Sequence, residues 1–177
     1  MRRNIDLPIS PVSCFLPIAD RHARVLILGS MPGRESLRAQ QYYAHPRNAF
    51  WRIMGDLVGA RPALAYADRT RILKDAGIAV WDVLATCIRS SSLDTDIDTA
   101  TMEMNDFASF YRSHPWITQV FFNGAMAEKF YFKHVGPVAN PELQFQRLPS
   151  TSPAHAGMPY AQKLHHWRVI LPHGAHV

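Results

Sequence analysis

Cysteine is nearly absent from this sequence: 177 residues carry only Cys14 and Cys87. Neither belongs to a Cys-x-x-Cys pair, so an iron–sulfur cluster or a Cys₄ zinc site is excluded on ligand count. A single disulfide would satisfy the pair, but two buried thiols in a reducing compartment is the expected state. Long apolar runs are missing too, which excludes a helical membrane span. The first residues, MRRNIDLPISPVSCFLP, are basic and broken by prolines, and they lack the apolar stretch of a signal peptide. A cytoplasmic protein without membrane association is therefore expected. Charge is sparse at 19% of residues, and the 14 acids are scattered instead of grouped in one motif. That scatter argues against a metal-dependent nucleotide hydrolase. No internal repeat or low-complexity linker interrupts the chain.

What is present suits one globular domain spanning residues 1–177. Apolar residues make up 47% of the chain, enough for a sizeable core. Lys and Arg outnumber Asp and Glu by 19 to 14, for a net charge of +5. Nucleic acid is the default partner for such a balance, although many intracellular proteins are mildly basic.

Four short apolar runs rich in β-formers stand out: Val25–Leu28, Ile78–Trp81, Val120–Phe122 and Phe145–Leu148. Helical patterns separate them, over Asn48–Val58, Tyr66–Ala76, Asn105–Ser113 and Ala125–His134, with a last helix opened by Pro159 and running through Ile170. Strands alternating with helices predict an α/β sandwich with a four-stranded, mainly parallel central sheet. Right-handed crossovers then gather the strand C-termini on one edge, where open α/β sheets bind ligands. Gly29-Ser30-Met31-Pro32-Gly33, Asp82, Asn123-Gly124 and the loop Pro149–His155 follow the four strands. They are expected to meet in one composite pocket.

Each of these groups also has a bland explanation. Gly29–Gly33 has neither the Lys-Ser/Thr of a P-loop nor the three-glycine spacing of a dinucleotide fingerprint, and can be a plain strand-to-helix turn. Tyr42, Tyr43 and His45 can stack on or hydrogen-bond a base, or form a half-buried aromatic cluster. The polar run His45-Pro46-Arg47-Asn48 that follows favours a site. Asn48 can cap a helix through the backbone of Phe50 or Trp51, orient a water, or do both. Asp82 can accept from a base edge or pair with an arginine such as Arg89. Asn123 can serve only a turn. Ser150, Ser152 and His155 can grip a phosphate, or belong to a rigid connector. His165, His166, His173 and His176 lack the i, i+4 pairing with a carboxylate that a metal site needs, and no metal is expected.

Taken together, strand–Gly-Ser-Met-Pro-Gly, Tyr-Tyr-Ala-His-Pro-Arg-Asn-x-Phe-Trp, Trp-Asp-Val-Leu, Phe-Phe-Asn-Gly and Leu-Pro-Ser-Thr-Ser-Pro-Ala resemble the uracil-DNA glycosylase superfamily. The branch they most resemble is the hypoxanthine-DNA, or deoxyinosine, glycosylases. The resemblance spans about residues 24–170 and implies a three-layer α/β/α sandwich around a four-stranded parallel sheet. The superfamily's first motif usually carries an Asp or Asn that activates water; here Met31 holds that position. The hypoxanthine branch relies on an asparagine further along, which Asn48 matches.

The resemblance implies a monofunctional enzyme that flips a deaminated base out of double-stranded DNA and hydrolyses its N-glycosidic bond. Hypoxanthine is the implied base, with xanthine and uracil as candidates. Asn48 would be catalytic. Gly29, Ser30, Met31, Tyr42, Tyr43, Asp82 and Asn123 would bind the base, and Arg47, Ser150, Ser152 and His155 the DNA. Arg34, Arg38 and Lys163 are further phosphate candidates, and His155 or Met158 would wedge into the duplex. No cofactor is implied, and a monomer is expected. The rival reading is a non-catalytic α/β domain that binds nucleic acid or nucleotides.

Overall fold

The computed structural model describes residues 10–136 and 141–171. In chain order the strands are β1 (Val12–Ser13), β2 (Val25–Gly29), β3 (Ile78–Asp82), β4 (Leu84–Arg89), β5 (Ile97–Met104), β6 (Gln119–Asn123) and β7 (Gln144–Leu148). The helices are α1 (Arg34–Ala39), α2 (Phe50–Val58), α3 (Tyr66–Asp75), α4 (Phe107–Ser113), α5 (Ala125–Phe130) and α6 (Tyr160–Trp167). A π-helical turn over Tyr131–Val135 extends α5, and a 3₁₀ turn over Arg168–Ile170 extends α6.

Strands β3-β2-β6-β7 form the central sheet, parallel throughout. β2 lies inside it, and Leu26, Ile27 and Leu28 are fully buried. A strand covered on both faces reads as an unbroken apolar run, as this one does. The strand order reverses between β3 and β6, so right-handed crossovers put α1–α3 on one face and α4–α5 on the other. Aromatic packing follows that division. On one face Phe50 meets Trp167 of α6 at 6.0 Å between ring centroids. On the other Trp81 packs on Phe107 and Phe110, and Phe107 on Tyr131. The molecule is thus a three-layer α/β/α sandwich. The free edge of β3 is covered by an antiparallel bridge in which Ile18 and Val80 exchange backbone hydrogen bonds of 2.9 and 2.8 Å.

A second, antiparallel sheet, β1-β4-β5, is absent from the sequence-based reading. The chain does not loop away after Asp82. It passes through Val83 straight into β4, and the backbone N–H groups of Val83 and Leu84 donate to the carbonyls of Gly29 and Ser30 at 2.9 and 3.1 Å. Asn105 braces this corner by donating to the Asp82 carbonyl at 2.8 Å. β5 escapes notice because polar residues interrupt its apolar ones and most of the strand is exposed or half-exposed. Cys14 and Cys87 are both free thiols, half-buried and buried respectively. Among the described residues no helix is long and apolar enough to cross a membrane.

Candidate active site

A cavity of about 510 Å³ opens at the C-terminal edge of the parallel sheet. All four strand-end segments contribute to it: the Gly29–Gly33 turn, Asp82, Asn123 and Ser150–His155. A fifth segment, Ser92–Thr95 from the β4–β5 connection, supplies another wall. Its Ser/Asp-rich composition was the one available cue, and that marks a turn without saying where the turn lands.

The Gly29–Gly33 turn is fastened by its carbonyls, which accept from Val83 and Leu84. Among the described residues no backbone carbonyl engages the N–H of Ser30 or Met31. Both residues are buried, and both line the cavity. The Ser30 hydroxyl donates to Asp94 Oδ1 at 2.7 Å.

Neighbouring tyrosines part company here. Tyr42 is 3% exposed, its ring is edge-on to Phe15, and its hydroxyl lies 3.2 Å from the carbonyls of both Phe15 and Leu16. Its own N–H and carbonyl are taken by the Tyr66 hydroxyl and Trp51 Nε1. Tyr42 is therefore a wall of the cavity held in the core, with its hydroxyl and backbone groups already engaged. Tyr43 adopts a φ of 55°, a conformation uncommon for residues with a Cβ, and stacks on Phe50 at 4.0 Å. Its hydroxyl is buried with no partner in hydrogen-bonding geometry. Burial pushes that hydroxyl well above the ordinary tyrosine range, Asp82 adds to the rise, and Asn123 opposes it.

Asp82 ends β3 at 3% exposure. Its Oδ2 is buried without a partner, and no ion pair to Arg89 forms. Burial, then the charge of Asp94, pushes the carboxyl up to about 8 from 3.8, against the pull of Arg89. At neutral pH it is mostly a protonated acid, able to donate as well as accept.

Asn48 lines the cavity just ahead of α2, and its Oδ1 accepts from the Phe50 N–H at 2.9 Å. The bond satisfies one of the helix's orphan donors and fixes the carboxamide at the cavity wall. Asn123 is tied to Thr151 by two bonds of 2.9 Å, Nδ2 to Oγ1 and Thr151 N–H to Oδ1. Thr151 in turn accepts from Ala49 N–H at 3.0 Å, which joins the late loop to the segment bearing Asn48. Ser150 and Ser152 accept from the backbone N–H groups two residues on, and Ser152 caps a 3₁₀ turn over Pro153–His155. His155 is exposed at the rim.

The remaining basic candidates separate by exposure. Arg47 is exposed beside the cavity, and its N–H donates to His45 Nδ1. Arg34 donates to the Ser90 carbonyl, and Arg38 pairs with Glu35. Lys163 is 5% exposed and donates to the His155 carbonyl at 3.0 Å. It braces the rim from behind, so the expectation that it reaches a phosphate is corrected. His165 and His166 are exposed on α6, while His173 and His176 lie outside the described residues. Among the described residues no group of three or more His, Cys, Asp or Glu is arranged to hold a metal.

The sequence model of the uracil DNA glycosylase superfamily matches residues 16–173. The chain belongs to that superfamily. It is a DNA glycosylase. Two similar proteins are hypoxanthine DNA glycosylases. That of Methanosarcina barkeri is 39% identical over 111 residues, covering 62% of this chain and 69% of the relative. That of Methanosarcina acetivorans is 37% identical over 117 residues, covering 66% and 73%. The fold is similar to the solution NMR structure of a candidate uracil DNA glycosylase from Methanosarcina acetivorans. The TM-score is 0.72 at 30% identity, over 91% of this chain and 99% of the other.

In this glycosylase, sequence reasoning missed Asp94 and gave Thr151 no role of its own within the late loop. Arg89, weighed as a partner of Asp82, is 7% exposed; its Nη1 and Nη2 are buried without partners while Nε donates to the Ser91 carbonyl at 2.6 Å.

Proposed function

We propose that this glycosylase is monofunctional and excises hypoxanthine, and secondarily xanthine or uracil, from double-stranded DNA, with Asn48 holding the attacking water. Asn48 carries the reading: its Oδ1 is pinned by the Phe50 N–H at 2.9 Å, and its side chain lines the cavity where an extruded base would lie. A carboxamide held in one orientation keeps a lone pair and two donors for a water without reorganising during the reaction. The hypoxanthine activity named for both Methanosarcina relatives supports the choice of base.

Extrusion of the nucleotide costs a few kcal/mol of unstacking. Contacts of exposed Arg47 and of the Ser150–His155 rim with phosphates recover part of it. The base departs with the electron pair of the glycosidic bond and needs donors for its growing charge. The Ser30 and Met31 N–H groups and the protonated Asp82 carboxyl are suited to that task. Tyr43 supplies the aromatic wall. Buried Lys163 is spent on the His155 carbonyl, which supports simple hydrolysis without a Schiff base. One chain furnishes every group, in keeping with a monomer, and the two free thiols suit the reducing cytoplasm.

The test is a set of duplexes containing inosine, xanthosine or deoxyuridine, incubated with the protein and then treated with alkali. Alkali-dependent strand breaks at inosine are expected, and Asn48→Ala should lower the single-turnover rate by about 10²–10³-fold. Binding without an abasic product would overturn the reading. Breaks that appear without alkali would overturn its monofunctional part.

A further inference from the structure

We infer that Asp94 is the carboxylate of the hydrolysis, accepting the proton of the attacking water and setting a negative charge beside the developing sugar cation. The inference rests on the glycosylase reading above.

Asp94 is half-buried on the cavity wall, yet it belongs to the second sheet's β4–β5 connection, not to any loop of the parallel sheet. Its Oδ1 is held by the Ser30 hydroxyl at 2.7 Å, at the turn that faces the base. That bond orients the carboxyl and leaves the rest of its acceptor capacity for a water. The connection that carries it is braced at several points. Leu93 N–H donates to Ser91 Oγ at 2.9 Å, Arg89 Nε to the Ser91 carbonyl at 2.6 Å, and Arg34 N–H to Ser92 Oγ at 3.0 Å. A catalytic group needs this kind of support to stay within a fraction of an ångström of its working position.

Two carboxyls line the cavity, and their surroundings divide the labour. Asp82 has a buried, unpartnered oxygen and no hydroxyl to favour its charged form. Asp94 also rises through burial, but the Ser30 hydroxyl and the Arg89 guanidinium oppose the rise. The charge of Asp94 in turn lifts Asp82. Of the two, Asp94 is the acid whose neighbours favour the charged form, and Asp82 the one whose surroundings favour the proton. Arg89, Asp82, Tyr43 and Cys87 feel the charge of Asp94, and Arg34, Glu35, His45 and His155 line the same cavity.

The step balances simply. The C1′–N bond breaks and its electron pair leaves with the base. The water oxygen bonds to C1′, its proton passes to Asp94 and then to the departing base, and the products are an abasic sugar and a neutral base. A carboxylate that activates water against an oxocarbenium-like centre is the device of inverting glycoside hydrolysis.

Asp94→Asn keeps an oxygen for Ser30 and removes only the charge. Its single-turnover excision from the inosine duplex should fall by about 10²–10⁴-fold with duplex affinity unchanged, and the acid limb of the rate–pH profile should vanish. Asp94→Ala should lose comparable activity and regain part of it with added formate, which a purely structural role would not allow. Excision by Asp94→Asn within about threefold of wild type, or an Asp94→Ala defect that formate leaves untouched, would overturn the inference while leaving the glycosylase reading intact. Wild type inert on all three duplexes would overturn both.

Discussion

Gly29 and Asp82 are direct partners in the parallel ladder between β2 and β3, and the Asp82 carboxyl closes over the glycine. A Cβ at position 29 would meet Asp82 Oδ1 at 2.5 Å and the Tyr43 hydroxyl at 3.1 Å. The glycine is required by that close approach, not by its backbone angles.

Gly29→Ala should therefore destabilise the fold by about 1–3 kcal/mol and displace the base-facing carboxyl. Adding Asp82→Ala removes the nearer of the two clashes. The double variant should then melt above the value expected from summing the two single changes. Strictly additive thermal melts would mean that the two side chains do not press on each other.

Asp82 should also make stability fall with rising pH. Its folded pKa, about 8, lies above the 3.8 of an ordinary carboxyl. The folded state thus keeps a proton that the unfolded chain releases. That contribution is complete below the unfolded value, is lost progressively between about pH 4 and pH 8, and is gone above. Asp82→Asn abolishes the dependence. Its stability relative to wild type should grow by a few kcal/mol between about pH 5 and pH 9, read from denaturant midpoints at each pH. A constant difference across that window would show that Asp82 ionises normally.

Arg47 and Lys163 make a contrasting pair. Arg47 is exposed beside the cavity, whereas Lys163 is buried and donates to the His155 carbonyl. Arg47→Ala should weaken duplex binding and reduce the slope of log K against log salt by about 0.9. Lys163→Met should leave that slope unchanged, because no counterion is released by a cation that never meets phosphate. Titrations of a labelled duplex at several salt concentrations read both, and equal slopes for wild type and Arg47→Ala would remove Arg47 from the interface.

Much of the architecture is legible in the chain. Val25–Leu28, Ile78–Trp81 and Val120–Phe122 stand out because a parallel strand buried on both faces must be apolar without interruption, whereas Phe145–Leu148 lies in an edge strand and exposes Gln146 and Arg147. The convergence of Gly29–Gly33, Asp82, Asn123 and Ser150–His155 follows from the alternation of strand and helix alone, since crossover connections return every strand in one direction. Asn48 is legible as a cap because its job is local: its oxygen needs only the N–H two residues on.

Tertiary structure decided what depends on distant partners. Tyr42 and Tyr43 are chemically identical neighbours. Only the positive φ at Tyr43, with Phe15 waiting for one ring and Phe50 for the other, sends Tyr42 into the core. Lys163 looks like any basic residue on a helix until α6 packs its face inward. Asp94 stands 64 residues from Ser30, in a 3₁₀ turn between β4 and β5 whose sequence marks only a turn, and joins the site through a single hydroxyl. Periodicity and turn chemistry are properties of neighbours along the chain, so the sequence by itself determined the sheet, its edge and the loops at that edge. Which side chains are desolvated there, and which of two acids keeps its proton, depends on burial and charge summed over the folded whole, and only the fold decided it.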